Sequence, residues 1–340
     1  MALAPPSGAA QAPAALQALL EASGLARAGE TPRLLPLTGG VSSAIWRVDL
    51  ESGSYCLKQA LARLKVAKVW EVPVERVFAE IDWLRCAGAI VPGHVPRVVA
   101  EDRAARCFVM EFLGEGLRNW KTELLAGRCD PEVARAVGGL IGRLHEATAG
   151  RPEIAARFAH DAQFHALRLE PYLVESARTN PALAPQLNAL VERTATTRRA
   201  LVHGDLSPKN ILVGANGPVL LDAECAWYGD PAFDLAFCLN HLLLKAAHLP
   251  ASRAGLMAAA EALAAAYFDT VRFEPRALLE ARVASLLPGL LLARVDGKSP
   301  LEYLGPETAA RVRAAATRLL RAPPQDLAAL QHGWAGEFPS

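Results

Sequence analysis

From Leu34 to Ala60 apolar and polar residues alternate, broken only at Gly39-Gly40 and Ser52-Gly53. A period of two with turn residues between runs predicts two or three antiparallel strands joined by hairpins. Over Val74–Cys86 the period changes. Val77, Phe78, Ile81, Trp83 and Leu84 fall at helical spacing and predict an amphipathic helix. Val95–Ala100 and Cys107–Phe112 read as further strands, and Gly114-Glu115-Gly116 ends that texture. Beyond it the pattern is helical, over Pro131–Thr148, Asp161–Arg178, Pro185–Arg199, Leu235–His248, Arg253–Phe273, Pro275–Leu287 and Pro306–Arg321, with Pro323-Pro324 stopping the last. Two short apolar runs, Ile211–Val213 and Val219–Leu221, interrupt the helices. The Asn216-Gly217 pair between them favours the positive φ angles of a tight hairpin.

The expectation is an α+β chain in three parts. Residues 1–30 form an Ala/Pro-rich flexible tail and a short helix over Ala14–Leu25. Residues 31–113 form a small antiparallel-sheet lobe, and residues 114–340 a larger, mainly helical lobe.

Composition narrows the function. Hydrophobic residues make up 52% and charged residues 21% of the 340, as in a folded soluble protein. A net charge of +1 provides no field for nucleic acid or an anionic membrane, so neither partner is expected. The six cysteines form no C-x-x-C, and no His pair is spaced for zinc. Cysteines among apolar residues are typical of reduced cores and favour a cytoplasmic setting. Met1–Ala10 lacks a basic start followed by an apolar run, so no secretory leader is expected, and the longest apolar stretches are too short to span a bilayer.

The chemistry concentrates in His203–Asp234, HGDLSPKNILVGANGPVLLDAECAWYGDPAFD. It opens with H-x-D-x-x-x-x-N, and Asp222 follows the second apolar run. Phosphoryl transfer needs a carboxylate near the attacking hydroxyl and, separately, oxygen ligands for magnesium on the nucleotide phosphates. Asp205 fits the first role. Asn210, five residues on, and Asp222, seventeen on, fit the second, because magnesium takes hard amide and carboxylate oxygens. In the small lobe, Gly39, Gly40, Ser42 and Ser43 precede a strand and could approach phosphates through backbone and hydroxyl groups. No Gly-Lys-Ser/Thr follows, so this is not a Walker loop. Lys58 lies on an apolar strand where an unpaired ammonium would be costly. Nucleotide phosphates and a helix glutamate would resolve that cost, with Glu80 the best partner and Glu75 its rival.

The His203–Asp234 segment resembles the catalytic and metal-binding segment of the small-molecule kinases related to aminoglycoside phosphotransferases, a superfamily that includes choline, homoserine and methylthioribose kinases. Its tail, DAECAWYGDPAFDLA, is most similar to the methylthioribose kinase branch. The resemblance implies a bilobal protein-kinase-like fold and ATP- and Mg2+-dependent phosphorylation of a small-molecule hydroxyl. It implies that His203 braces the loop, that Asp234 anchors it, and that Arg76…Glu80 matches an R-x-x-x-E pattern. It also implies that the Met110–Leu113 linker meets adenine through the backbone of Glu111 and Leu113. For Asp234 a helix N-cap is equally sufficient physically. Glu224 is a candidate for the metal or the substrate. Asp222-Ala223-Glu224 in place of Asp-Phe-Gly speaks against a protein kinase.

The substrate is the least legible part. Arg294 and Lys298, near a Gly turn, could face substrate hydroxyls, although a solvated loop would serve as well. A compact neutral or anionic polyol, such as a methylthioribose-like pentose, is favoured over a polycationic aminoglycoside. Choline or ethanolamine would need an aromatic box, for which Trp120, Trp227 and Tyr228 are candidates. A catalytically silent nucleotide-binding module is the remaining alternative.

Overall fold

The alternation after Leu34 becomes three strands in a computed structural model, which describes residues 15–37, 43–61, 75–114 and 116–338. The chain divides into two compact units, Met1–Ile81 with Arg97–Phe112, and Asp82–Pro96 with Leu113–Ser340.

The first unit holds α1 (Ala15–Ala22), β1 (Arg33–Pro36), β2 (Ser43–Leu50), β3 (Gly53–Ala60), the first part of α2 (Arg76–Ile90), β4 (Val98–Asp102) and β5 (Cys107–Glu111). Its sheet has the order β1-β2-β3-β5-β4 and every pairing is antiparallel. Trp46 and Val48 of β2, Leu57 of β3 and Val109 of β5 join Leu16 and Leu20 of α1 in one apolar core. The short helix expected over Ala14–Leu25, set apart from the small lobe, forms over Ala15–Ala22 and packs on its sheet. Its leucines sit at i and i+4, on one face. The strand signal around Lys58 is unusual, because Cys56, Leu57 and Lys58 are buried in succession. Two faces are covered there rather than one.

The second unit begins inside α2. Residues 82–96, expected with the small lobe, pack here: His94 Nδ1 lies 2.8 Å from the Pro218 carbonyl, and Leu220 N–H donates to the His94 carbonyl. Next come β6 (Arg118–Asn119), α3 (Trp120–Leu125), α4 (Pro131–Thr148), α5 (Pro152–Arg157), α6 (Asp161–Phe164), α7 (Glu175–Thr179) and α8 (Ala184–Thr196). They are followed by β7 (Ala200–Val202), β8 (Ile211–Gly214), β9 (Gly217–Leu220), β10 (Trp227–Gly229), α9 (Ala232–His248), α10 (Arg253–Thr270), α11 (Arg276–Asp296), α12 (Pro306–Arg321) and α13 (Leu327–Glu337). The expected hairpin is β8–β9, with β6 added at its edge, and β7 pairs with β10.

Three departures bear on the site. The helix expected over Asp161–Arg178 is α-helical only at its ends; His165–Val174 is π-helical and contains Pro171. The helix expected to stop at Leu287 runs through Pro288 to Asp296. Proline in a helix removes one donor without forbidding continuation when burial holds both sides, and Leu286 through Ala293 are all buried. Helix α9 is buried on every face from Ala232 to Ala247, as a helix at the centre of a core must be. No described helix is long and apolar enough to cross a membrane.

Candidate active site

In the first unit, Lys58 Nζ lies 2.8 Å from Glu80 Oε1 and 2.7 Å from Oε2, with both side chains almost wholly buried. Of the two glutamates considered, Glu75 is exposed and Glu80 makes the pair. Arg76, fully buried, donates to the Leu61 carbonyl at 2.7 Å. Gly39, Gly40 and Ser42 lie outside the described residues, while Ser43 is buried at the start of β2. Glu111 closes β5 with its backbone N–H donating to the Arg97 carbonyl at 3.0 Å. In the second unit, Leu113 is half-buried.

The loop from β7 to β8 is locked from several sides. Gly204 has a φ of +76°, and a Cβ there would meet the Cys225 carbonyl at 2.4 Å, so only glycine fits. The Asp234 carboxylate accepts from the backbone N–H of His203 at 2.7 Å and of Gly204 at 2.9 Å. It also meets His145 Nε2 at 3.2 Å, and His145 Nδ1 meets the Tyr267 hydroxyl at 2.9 Å. Asp234 therefore does not cap α9. It sits within the first turn, and the N–H of Ala232 is taken by Asp230 at 3.0 Å. Both oxygens of the carboxylate are turned to the loop N–H groups and the buried imidazole, and α9 has no side-chain cap bond. His203 braces the loop: its Nε2 meets the Leu221 carbonyl at 3.1 Å and its Nδ1 accepts from the Asp205 N–H at 3.2 Å. Burial holds its pKa below the ordinary imidazole value against the nearby Asp234, Asp205 and Asp222, so it stays neutral.

Asp205 is buried and held at three points. Arg168 Nη2 is 2.9 Å from Oδ1, Lys209 Nζ is 3.1 Å from Oδ2, and Asn210 Nδ2 donates to Oδ2 at 2.9 Å. Burial alone would raise its pKa. The charges of Arg168 and Lys209 outweigh that and hold the carboxyl below the ordinary value. The Asn210 amide nitrogen donates to the Asp205 carbonyl at 3.0 Å and carboxylate at 2.9 Å, so its oxygen is the end of that amide that could take a hard cation. Asp222 has a φ of +65°, the left-handed region, one residue after the Leu221 N–H donates to the Asn210 carbonyl at 2.9 Å. A non-glycine residue there carries strain that marks functional turns. Glu224 is buried close enough to Arg168 to raise that guanidinium's pKa, and its own carbonyl accepts from Gln163 at 2.8 Å.

Arg168 and Lys209 were missed in the sequence, as was Ser207, whose hydroxyl is buried with no hydrogen-bond partner among the described residues. Lys209 and Ser207 lay within the motif itself. Arg168 gave no local signal, since it reaches the loop from the π-helical segment.

The late residues divide. Arg294, read as belonging to a loop, is buried in the last turn of α11. Lys298 is engaged by Glu170, at 2.8 and 2.7 Å from its two oxygens. Trp227, considered for substrate contact, is buried on β10 and stacks on Phe164 at 4.1 Å. Tyr228 and Trp120 are likewise buried, so these rings form no open box for a quaternary ammonium.

Comparison with known proteins places these geometries. Residues 33–278 match the APH model, described as the phosphotransferase enzyme family. Methylthioribose kinase of Pectobacterium atrosepticum is 26% identical over 258 residues, covering 66% of this chain and 62% of the relative. The chain thus spans less than two thirds of that relative's length. Among solved structures, a choline/ethanolamine kinase family protein from Mesorhizobium loti shares the fold, with a TM-score of 0.52 at 19% identity over 93% of this chain and 98% of that one. So does an aminoglycoside phosphotransferase from Alicyclobacillus acidocaldarius, with a TM-score of 0.52 at 16% identity over 97% and 99%. The family match covers most of the chain, including the loop that holds Asp205 and Asn210 and the strained turn at Asp222, and on that basis the chain belongs to the APH phosphotransferase enzyme family.

Proposed function

We propose that this protein transfers the terminal phosphoryl group of ATP, with Mg2+, to a hydroxyl of a small metabolite. One observation carries the reading: a buried carboxylate, Asp205, is fixed by Arg168, Lys209 and Asn210. A hydroxyl presented to Asp205 donates its hydrogen bond there, which aims an oxygen lone pair at the phosphorus. As the new O–P bond forms and the bond to ADP breaks, the hydroxyl proton passes toward Asp205. Two adjacent cations make Asp205 a weak base, so it serves chiefly to orient the hydroxyl and receives the proton late.

The donor set fits magnesium. Asn210 and Asp222 supply an amide and a carboxylate oxygen, two hard ligands to be completed by phosphate oxygens and water. When bound, the ion would screen the phosphate charge. Lys58, oriented by Glu80, would hold phosphate oxygens, and the backbone of Glu111 and Leu113 would meet the adenine. The methylthioribose kinase relatives favour a pentose acceptor.

The test is coupled ADP release against panels of pentoses, amino alcohols and aminoglycosides. Asp205→Asn should lose turnover by a factor on the order of 10² or more while nucleotide still binds. A variant that turns over at the wild-type rate rejects the assignment. Saturable nucleotide binding with no transfer to any acceptor would favour a silent module.

A further inference from the structure

Helix α9 carries His241 and Lys245 one turn apart, and α11, which packs against α9, holds Arg294 within electrostatic range of both; all three are at least nine-tenths buried. Lys245 Nζ makes a single hydrogen bond among the described residues, a 3.3 Å contact to the His241 carbonyl of its own helix, and lies 5.4 Å from the Tyr303 ring centroid. Among the described residues the Arg294 guanidinium hydrogen-bonds only to hydroxyls, Tyr172 at 3.3 Å and Ser299 at 3.0 Å, and its Nε has no hydrogen-bond partner there. The His241 ring makes an edge contact with Phe237 and no hydrogen bond among the described residues. Glu302, a carboxylate within electrostatic range of both Lys245 and Arg294, is largely exposed and engaged by Lys121 at 2.6 Å.

Buried ammonium and guanidinium groups are expensive to leave without a counter-charge. Their charges also depress Lys245 and His241. Burial first, then Lys121 and Arg294, brings the Lys245 pKa down to about 7. Burial, then Lys245, Arg294 and Lys209, holds His241 well below its ordinary value. An anion placed among them would relieve every one of these costs.

The cluster adjoins the proposed reaction centre. The guanidinium of Arg168, which holds Asp205, lies 5.9 Å from the Tyr172 ring centroid, and the Tyr172 hydroxyl contacts Arg294. Lys209, the other cation on Asp205, is near enough to act on His241. We infer that Lys245, Arg294 and His241 bind an anionic group of the acceptor, so that the substrate is a small hydroxylated acid or phosphate ester whose hydroxyl meets Asp205. The inference rests on the phosphotransfer reading for the position of the hydroxyl, but not for the binding of the anion.

The experiment pairs acceptors that differ only in the anion, D-glycerate with glycerol and ribose 5-phosphate with ribose, in ADP-release assays. In parallel, D-glycerate and inorganic phosphate are titrated calorimetrically with ADP present. The charged member of a pair should be preferred in kcat/KM, and Lys245→Met or Arg294→Met should cut that preference on the order of 100-fold, with Lys245→Arg restoring part of it. Preference for glycerate would identify a carboxylate, and preference for the sugar phosphate a phosphate. Lys245→Met replaces a lone buried cation with an apolar chain of similar length, so it should melt no lower than the wild type, and the loss would not reflect unfolding. Equal or better use of glycerol and ribose would overturn the inference, as would anion binding untouched by both variants. If no acceptor is turned over, the phosphotransfer reading fails, and calorimetry still decides: anion binding lost in Lys245→Met upholds the pocket, and no saturable binding ends it.

Discussion

At the scale of single residues, the charge on Asp205 is the decisive quantity. In the proposed transfer its active form is the carboxylate, and its folded pKa lies below the ordinary aspartate value of about 3.9. Asp205 therefore stays ionised as pH falls to that value, and both its catalytic and its stabilising contributions are lost only below it. Replacing Arg168 with Met leaves burial opposed by the Asn210 amide and by Lys209, which is half exposed and screened by solvent. The acid limb of the kcat/KM profile should then move to higher pH, and an unmoved limb would show that Arg168 does not set the Asp205 charge. The Lys58–Glu80 pair is a second such unit. Glu80→Ala removes the carboxylate that meets the buried Lys58 ammonium through both oxygens and should cost about 3–5 kcal/mol of stability, measurable by urea denaturation. A loss below about 1 kcal/mol would mean that water reaches the pair.

At the scale of elements, close packing places the functional groups. Helices α4 and α10 approach so nearly that a Cβ at Gly138 would lie 2.1 Å from the Leu263 carbonyl. Gly138→Ala should force the helices apart and cost roughly 1–3 kcal/mol, seen as a lower urea midpoint at unchanged slope. A neutral result would mean that the contact yields freely. The π-helical stretch His165–Val174 matters in the same way. It carries Arg168 to Asp205 and Tyr172 to Arg294, and π-helical turns recur at functional sites because the added residue per turn redirects side chains. Residue order does not reveal it, since apolar spacing at 3.6 and at a slightly wider period look alike over ten positions.

For the molecule as a whole, all six cysteines are free; Cys56, Cys107, Cys225 and Cys238 are buried, and Cys86 and Cys129 partly exposed. Burial pushes the Cys56 thiol up to about 12 and Cys107 to about 11. A thiol-specific disulfide reagent at pH 8 should therefore label at most Cys86 and Cys129 in the native protein, slowly, and all six in guanidinium. Rapid native labelling of Cys225 or Cys238 would contradict the packed core. The C-terminal helix α13, which no sequence signal singled out, is tied in by the Trp334 indole donating to the Leu243 carbonyl at 3.2 Å.

By itself the sequence determined the local structure whose signal is local. It specified the strand-rich start and the helical remainder, the β8–β9 hairpin through Asn216-Gly217, the Asp205–Asn210–Asp222 spacing, and the choice of Lys58 as a lysine that must be paired. Each is written in periodicity or in residues close along the chain. Tertiary packing alone settles that Asp234 holds the loop rather than capping its helix, that α11 runs through Pro288 and buries Arg294, that Trp227 belongs to the core, that Arg168 reaches Asp205, and that His241 and Lys245 are buried cationic neighbours of Arg294. The reason is physical. A charged side chain reads as a surface group until its surroundings are known, because its cost depends on burial and on partners that lie dozens of residues away.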